Sequence, residues 1–450
     1  MENDNMNIEY NKIGGNVLAS GGFGCVFMPA LKCKEKSKNK NTSTKLSKLM
    51  IDKYATQEYD KISFIREKLK DIPNYKDYFL LDDFSICNPA KLNKSDLSNY
   101  SKKCKALKKH KIYKENINQK LDKLLILSMP YGGVPVDDYI EKYVSYANFL
   151  KINNLLISLL KNGIIPMNNE DIYHCDIKDS NVLIDTDDND ITRMRLIDWG
   201  ISIEYIPFKD NPFPKSWRNK PLQFNMPFSV ILFTDDFVKK YTEYIENGGI
   251  LEKKELEPFV FDYIKYWFKE RGVGHYKYIN ELMYYLFSNE VFDIDNDMNE
   301  DDKLKWIEQK ITMPYIINYI VEVLIHFTKF REDGTLNMRE YLDKVFIRIA
   351  DIWGFINIYN SILHIFSSNY YDLTARQLKI FNTLKHIYLE YLYKPRIEPI
   401  PISELEEKLR SLTNLFNLKK ELKKTKQTKK YLSKRNITNK IKKTKRFKSF

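Results

Sequence analysis

The chain predicts an α+β fold in two lobes, a small β-rich N-terminal lobe and a larger, mostly helical C-terminal lobe. Three observations predict it. Short apolar runs, the first two around a glycine turn, occupy the first 130 residues. Apolar residues at helical spacing dominate from about residue 138 to 395. One compact apolar hairpin, near residues 182–197, interrupts that helical region.

Taken in order, residues 13–28 read as two short strands around a glycine turn, and 33–45 as a polar loop. A strand follows at Leu46–Ile51, then a helix over about 55–71 whose Ile62, Ile65 and Leu69 recur at helical spacing. Tyr78–Ser85 and Leu124–Met129 read as further strands. Between them, residues 91–123 carry eleven lysines and three acids, the composition of a surface insertion. Tyr131, Gly132 and Gly133 end the strand pattern, and a long amphipathic helical run extends through Leu160. Val182–Ile184 and Met194–Ile197 flank the turn Asp185–Asp190 as a hairpin. That turn begins like a calcium loop but lacks glycine at its sixth position and an acid at its twelfth. Residues 403–424 predict a charged helix and the remainder a disordered end. The expected division is 1–130 for the first lobe, 131–400 for the second and 401–450 for the charged helix and tail.

The net charge of +13 is unevenly placed. Residues 419–450 hold fifteen Lys or Arg against one Glu, so they carry +14 and leave the other 418 residues at −1. Such a tail suits nucleic acid, an acidic protein partner or an anionic membrane surface, or simple solubilising disorder. No apolar run approaches the ~20 residues of a membrane span, and the polar first residues do not read as a signal peptide. A soluble intracellular protein is expected. The cysteines at 25, 33, 87, 104 and 175 are odd in number and contain no C-x-x-C, so free thiols are expected rather than a disulfide framework or zinc site.

The chemistry concentrates in His174-Cys175-Asp176-Ile177-Lys178-Asp179-Ser180-Asn181, followed across the predicted hairpin by Asp198-Trp199-Gly200. Phosphoryl transfer requires a carboxylate to orient the attacking hydroxyl, an amide and a second carboxylate to hold magnesium against the phosphates, and a cation beside the moving phosphoryl group. Asp176, Asn181, Asp198 and Lys178 are those four residue types in order.

This stretch resembles the catalytic loop H-R-D-x-K-x-x-N and the D-F-G of eukaryotic-type protein kinases, and the lysine two places after the aspartate is the serine/threonine form. The resemblance implies a protein-kinase-like fold with a ligand cleft between the lobes, ATP and Mg²⁺ as cofactors (with Mn²⁺ an alternative), and a protein substrate. It makes Asp176 the catalytic base, Lys178 the γ-phosphate contact, and Asn181 and Asp198 the metal ligands. Leu18-Ala19-Ser20-Gly21-Gly22-Phe23-Gly24-Cys25-Val26 resembles the kinase loop L-G-x-G-x-F-G-x-V, where glycines let backbone N–H groups approach phosphate oxygens. Ala19 stands at its first glycine.

A kinase also needs a strand lysine paired with a helix glutamate. Lys48 is chosen, with Lys45 the rival. Glu58 is chosen because Ile62, Ile65 and Leu69 lie four, seven and eleven residues later on the same helix face, with Glu67 the rival. Met129-Pro130-Tyr131 resembles the hinge that binds adenine, with Met129 guarding the back pocket.

Three departures stand out. Cys175 replaces the arginine before the catalytic aspartate, Trp199 replaces Phe, and no A-P-E follows. Lys220-Pro221-Leu222-Gln223-Phe224-Asn225-Met226-Pro227-Phe228 occupies that zone, and both its Pro221–Pro227 segment and the catalytic motifs resemble divergent kinases of large DNA viruses. Three rivals remain: a pseudokinase scaffold, a small-molecule kinase of the aminoglycoside or choline type, whose I-D-[WF]-E motif Ile197-Asp198-Trp199 echoes, and a nucleic-acid-binding protein in which the basic tail is primary.

Overall fold

The computed structural model describes residues 16–35, 45–187, 189–209, 214, 217–287, 298–368 and 370–417. The chain divides into two compact units, residues 1–133 and 134–450. The first is built on an antiparallel sheet and the second is mostly helical, an α+β arrangement.

The first unit has five strands, β1 (Asn16–Ser20), β2 (Gly24–Met28), β3 (Lys45–Ile51), β4 (Ser85–Cys87) and β5 (Leu124–Pro130), in the order β1-β2-β3-β5-β4. β3 buries Ser47 and Leu49 on one face and Met50 on the other, and it pairs with β5 over its whole length, from Lys45 opposite Pro130 to Ile51 opposite Leu124. Helix α1 (Asp52–Leu69) follows β3 directly and buries Ala55, Ile62, Ile65 and Leu69 on one stripe.

The expected strand at Tyr78–Ser85 is not formed. Tyr75–Tyr78 is a helical turn, and the strand is only Ser85–Cys87. Leu80 and Leu81 are buried, which explains the apolar pattern. Asp83 adopts a left-handed φ of 60°, and the Tyr75 hydroxyl donates to Asp82, so the segment is bent away from extension.

The lysine-rich insertion is more than a surface loop. Leu92, Leu97, Tyr100, Cys104, Ala106, Leu107, Ile112 and Ile117 are buried in one cluster with Val17, Cys25 and Phe27 of β1 and β2. Its short turns supply apolar residues inward while the lysines stay at the surface or half-buried. Two disulfides, Cys25–Cys104 and Cys33–Cys87, correct the expectation of free thiols, and Cys175 is the cysteine outside them. The partners lie 79 and 54 residues apart in sequence, and only the packing of the insertion and of β4 brings them to Cα separations of 5.3 and 5.8 Å.

In the second unit, β6 (Val134–Pro135) pairs with β8 (Val182–Thr186), which forms the predicted hairpin with β9 (Thr192–Leu196). β7 (Ile172–Tyr173) pairs with β10 (Ile203–Glu204). The turn between β8 and β9 is closed by Asp187, whose carboxylate accepts the backbone N–H groups of Asn189 and Ile191 and the Arg193 guanidinium. The Asp187 carboxylate is therefore spent on the turn and its flank.

The principal helices are α2 (Val136–Lys142), α3 (Tyr146–Ser158), α4 (Asp235–Glu246), α5 (Lys253–Arg271), α6 (Tyr276–Leu286), α7 (Met313–Phe327), α8 (Ile347–Ile356), α9 (Asn360–Ser367), α10 (Ala375–Tyr388) and α11 (Ile402–Phe416). Helix α8 is buried along nearly its whole length. Helix α11 belongs to this unit, burying Leu405, Leu409, Leu412 and Phe416 and packing on α3, where Asn153 donates to the Leu409 carbonyl and the Thr413 hydroxyl. The basic tail lies outside the described residues. No described helix is long and apolar enough to cross a membrane.

Candidate active site

The loop His174–Asn181 joins β7 to β8, and a buried carboxylate from α8 holds its backbone. Asp351, 1% exposed, accepts the N–H of His174 at 2.8 Å, the N–H of Cys175 at 2.8 Å and the Asn168 amide at 2.9 Å. These bonds hold Cys175 in the left-handed region at φ 61°, where a non-glycine residue is strained. One helical turn on, Gly354 faces Ile177: a Cβ there would lie 2.6 Å from the Ile177 carbonyl oxygen. Asp351 and Gly354 thus present one face of α8 to the loop.

His174 is fully buried. Its Nδ1 accepts the Asp176 N–H at 3.3 Å, so Nε2 carries the proton and donates to the Ile197 carbonyl at 3.0 Å. Burial holds its pKa below the ordinary histidine value, keeping the ring neutral. Its ring packs 4.7 Å from that of Trp199. His174 therefore ties the loop to the end of the hairpin and is a structural residue.

Both oxygens of the Asp176 carboxylate are engaged. Oδ2 accepts Lys178 Nζ at 2.6 Å and Asn181 Nδ2 at 3.0 Å, and Oδ1 accepts Asn225 Nδ2 at 2.8 Å. Burial pushes the Asp176 pKa up, but the Lys178 ammonium and the hydrogen bonds from Lys178 and Asn225 outweigh it. The carboxyl is held below its usual value and stays ionised.

Asn181 spends its amide N–H₂ on Asp176, donating to the backbone carbonyl at 2.8 Å as well as to the carboxylate. Its Oδ1 accepts no hydrogen bond among the described residues. Asp198 follows β9, and Ile197 N–H donates to the Asn181 carbonyl at 3.0 Å, so the two residues flank one backbone bond. Asp198 sits at a left-handed φ of 66°, is exposed, and has no hydrogen-bond partner among the described residues. An amide oxygen and a carboxylate are hard oxygen donors, the set that suits Mg²⁺ when phosphate supplies the remaining ligands. Among the described residues no group of three or more His, Cys, Asp or Glu is placed to hold a metal by itself.

Asn225, Asp351 and Asn168 were not identified from sequence as parts of this site. Asn225 lies in the segment that lacks A-P-E, and the helical unit holds that segment by its backbone. Trp267 Nε1 donates to the Lys220 carbonyl, Trp353 Nε1 to the Phe224 carbonyl, each at 2.9 Å, and His275 N–H to the Leu222 carbonyl at 2.9 Å. Gly274, at φ 56°, is required there, since a Cβ would lie 2.3 Å from the Leu222 carbonyl oxygen. The available signal for Asp351 was a lone carboxylate inside the otherwise apolar run Ile347–Ile356.

Farther along, Asp343 is fully buried and accepts the Tyr205 hydroxyl at 2.5 Å and the Phe208 N–H at 3.0 Å, anchoring the chain after Gly200. Ser202 is buried and donates to the Trp199 carbonyl. Ser216 lies outside the described residues.

In the first unit, Lys48 Nζ donates to both carboxylate oxygens of Glu58 at 2.7 Å, the two side chains being 14% and 17% exposed. Lys45 forms no ion pair among the described residues, and Glu67 is taken by Lys70 and Arg66 at the surface. Residues Leu18 to Gly24 form the end of β1 and the turn into β2. Leu18, Ala19, Gly21, Gly22 and Phe23 are exposed, Ser20 and Val26 are half-buried, and Gly24 is buried. Gly21 N–H donates to the Gly24 carbonyl at 2.9 Å. Gly24 cannot bear a side chain, because a Cβ would lie 2.5 Å from Met50 Cγ and 2.8 Å from the Leu49 carbonyl oxygen. Met129, half-buried, is the β5 partner of Leu46, and Tyr131 follows the strand.

No family model matches the chain, and no curated protein matches it. Among solved structures, the crystal structure of a kinase domain aligns with 48% of this chain at 13% identity and a TM-score of 0.27. The alignment spans 57% of that kinase domain's length. A likeness this distant adds no weight to the role of any residue.

Proposed function

We propose that the chain is a protein kinase that transfers the γ-phosphate of ATP to serine or threonine hydroxyls of a protein substrate. The observation that carries this reading is the Asp176 carboxylate, kept ionised and oriented by Lys178, Asn181 and Asn225. The hydroxyl oxygen forms a bond to the γ-phosphorus, the bond to the β–γ bridging oxygen breaks, ADP leaves, and the hydroxyl proton passes to Asp176. Lys178, beside that carboxylate, offsets negative charge on the moving phosphoryl group. Asn181 and Asp198 would hold Mg²⁺, which would supply charge neutralisation at the phosphates. In the first unit, Lys48 aligned by Glu58 holds phosphate oxygens, and backbone N–H groups of the turn around Gly21–Gly24 do the same. Backbone groups near Met129 and Tyr131 hold adenine. The unpaired oxygens of Asn181 and Asp198 favour an active enzyme over a scaffold, and the resemblance of the catalytic motifs and of Pro221–Pro227 to kinases of large DNA viruses suggests a viral member of the group.

The test is transfer of labelled γ-phosphate from Mg-ATP to a basic model protein and to the chain itself, beside Asp176→Asn and Asp198→Asn. Label on Ser or Thr that both variants lose is the expected result. ATP binding without transfer to protein would point to a scaffold, and transfer to small alcohols alone to a small-molecule kinase.

A further inference from the structure

The glycine-rich turn is held from outside its own strands. Ser20 ends β1, and its Oγ accepts the backbone N–H groups of Lys105 and Ala106, each at 3.1 Å, capping a short turn of the insertion 85 residues away. Cys25, directly opposite Ser20 in the strand register, is bonded to Cys104. Ser98 donates to the Asn16 side chain at 2.7 Å at the start of β1. The Phe23 ring at the tip lies 5.1 Å from Tyr54 of α1, and Tyr54 lies 5.9 Å from His110 of the insertion. The ties bracket the tip without filling it, since a Cβ on Gly22 would meet nothing within 4 Å.

We infer that residues 92–112 form a clasp that positions this turn, with Ser20 and the Cys25–Cys104 bond as its positioning residues. The inference rests on the reading of the turn as a phosphate holder. A turn whose two ends are fixed loses less conformational freedom when phosphate binds, so the clasp strengthens nucleotide binding more than it alters the chemical step. The Ser20 hydroxyl is committed to the insertion rather than to the nucleotide. It therefore acts only through the backbone it holds.

The experiment uses the full chain with Mg-ATP as the probe, measures KM for ATP and kcat, and follows hydrogen exchange of the backbone amides of 18–24. The parent should carry Cys25–Cys104 by mass spectrometry after alkylation; finding both thiols free overturns the inference. Ser20→Ala should raise KM about fivefold, the loss of two ordinary hydrogen bonds partly replaced by water, with kcat within about twofold. Ser20→Thr, which keeps the hydroxyl, should restore the parent KM. Cys104→Ser should raise KM about tenfold or more and speed exchange at 18–24. Unchanged KM and exchange in both Ser20→Ala and Cys104→Ser overturns the clasp, as does an effect confined to kcat or thermal stability. If no form binds ATP, the phosphate reading fails, and hydrogen exchange alone decides whether the insertion restrains the turn.

Discussion

Replacing Asp351 by asparagine tests whether one buried carboxylate sets the geometry of the His174–Asn181 loop. The side chain keeps its size but loses its charge and one of its two acceptors. In the better orientation, the amide oxygen sits where Oδ2 now accepts His174 N–H and Asn168, and the amide N–H₂ faces Cys175 N–H. Leaving that buried donor unsatisfied costs about 1–3 kcal/mol, and each surviving bond drops from charged to neutral strength, a further loss of about 0.5–1 kcal/mol apiece. Cheaper burial of a neutral amide offsets part of this, so a net loss of about 2–4 kcal/mol is expected. For a unit of this size that corresponds to a fall in Tm of roughly 3–6 °C. Differential scanning calorimetry measures it, with Asp→Asn changes at exposed Asp60 and Asp262 as controls. The strain at Cys175 adds a second readout, because a relaxed backbone there moves Asp176 and lowers transfer activity by at least an order of magnitude. A variant that melts within 1 °C of the parent and keeps its activity would refute the anchoring role.

Other expected outcomes follow from the same geometry. Asn225→Ala removes a charge-assisted bond worth about 1.5–3 kcal/mol, so kcat/KM should fall roughly 10- to 150-fold. The same variant removes one influence that depresses the Asp176 pKa, so the acid limb of the kcat/KM–pH profile should move to higher pH. The sign is that of a depressed carboxyl: its stabilising contribution is present above the unfolded-state carboxylate pKa and is lost as pH falls through the lower folded value, and Asn225→Ala shrinks it. Gly354→Ala gains about 1 kcal/mol of helix propensity but forces the Ile177 backbone to shift, a cost of about 1–3 kcal/mol; thermal unfolding should show no gain and activity should drop. Lys48→Met leaves Glu58 unpaired in a mostly buried site and should abolish measurable phosphoryl transfer, whereas Lys45→Met should leave it within about twofold. Equal losses in both lysine variants would contradict the pairing seen here.

The predicted α+β organisation and the hairpin of β8 and β9 rest on signals that need no neighbour. Glycine turns, period-two and period-3.6 apolar patterns are local, and so is the spacing that sets Asp176, Lys178 and Asn181 on one loop ahead of Asp198. The face shared by Glu58, Ile62, Ile65 and Leu69 is also local, since it follows from helix periodicity alone. What tertiary structure decided lies wherever the partner is remote in sequence. Glu58 receives Lys48 and Glu67 does not, because β3 runs antiparallel between β2 and β5 and aims one lysine at that face. Asp351 and Asn225 reach the loop across 177 and 49 residues, and nothing in a short window distinguishes them from other polar residues in apolar surroundings. The cysteines paired for the same reason: odd number and wide spacing argued for free thiols, yet the buried face of the insertion carries Cys104 to Cys25. Local spacing marked the candidate residues, and long-range packing chose which side chains hold them in place.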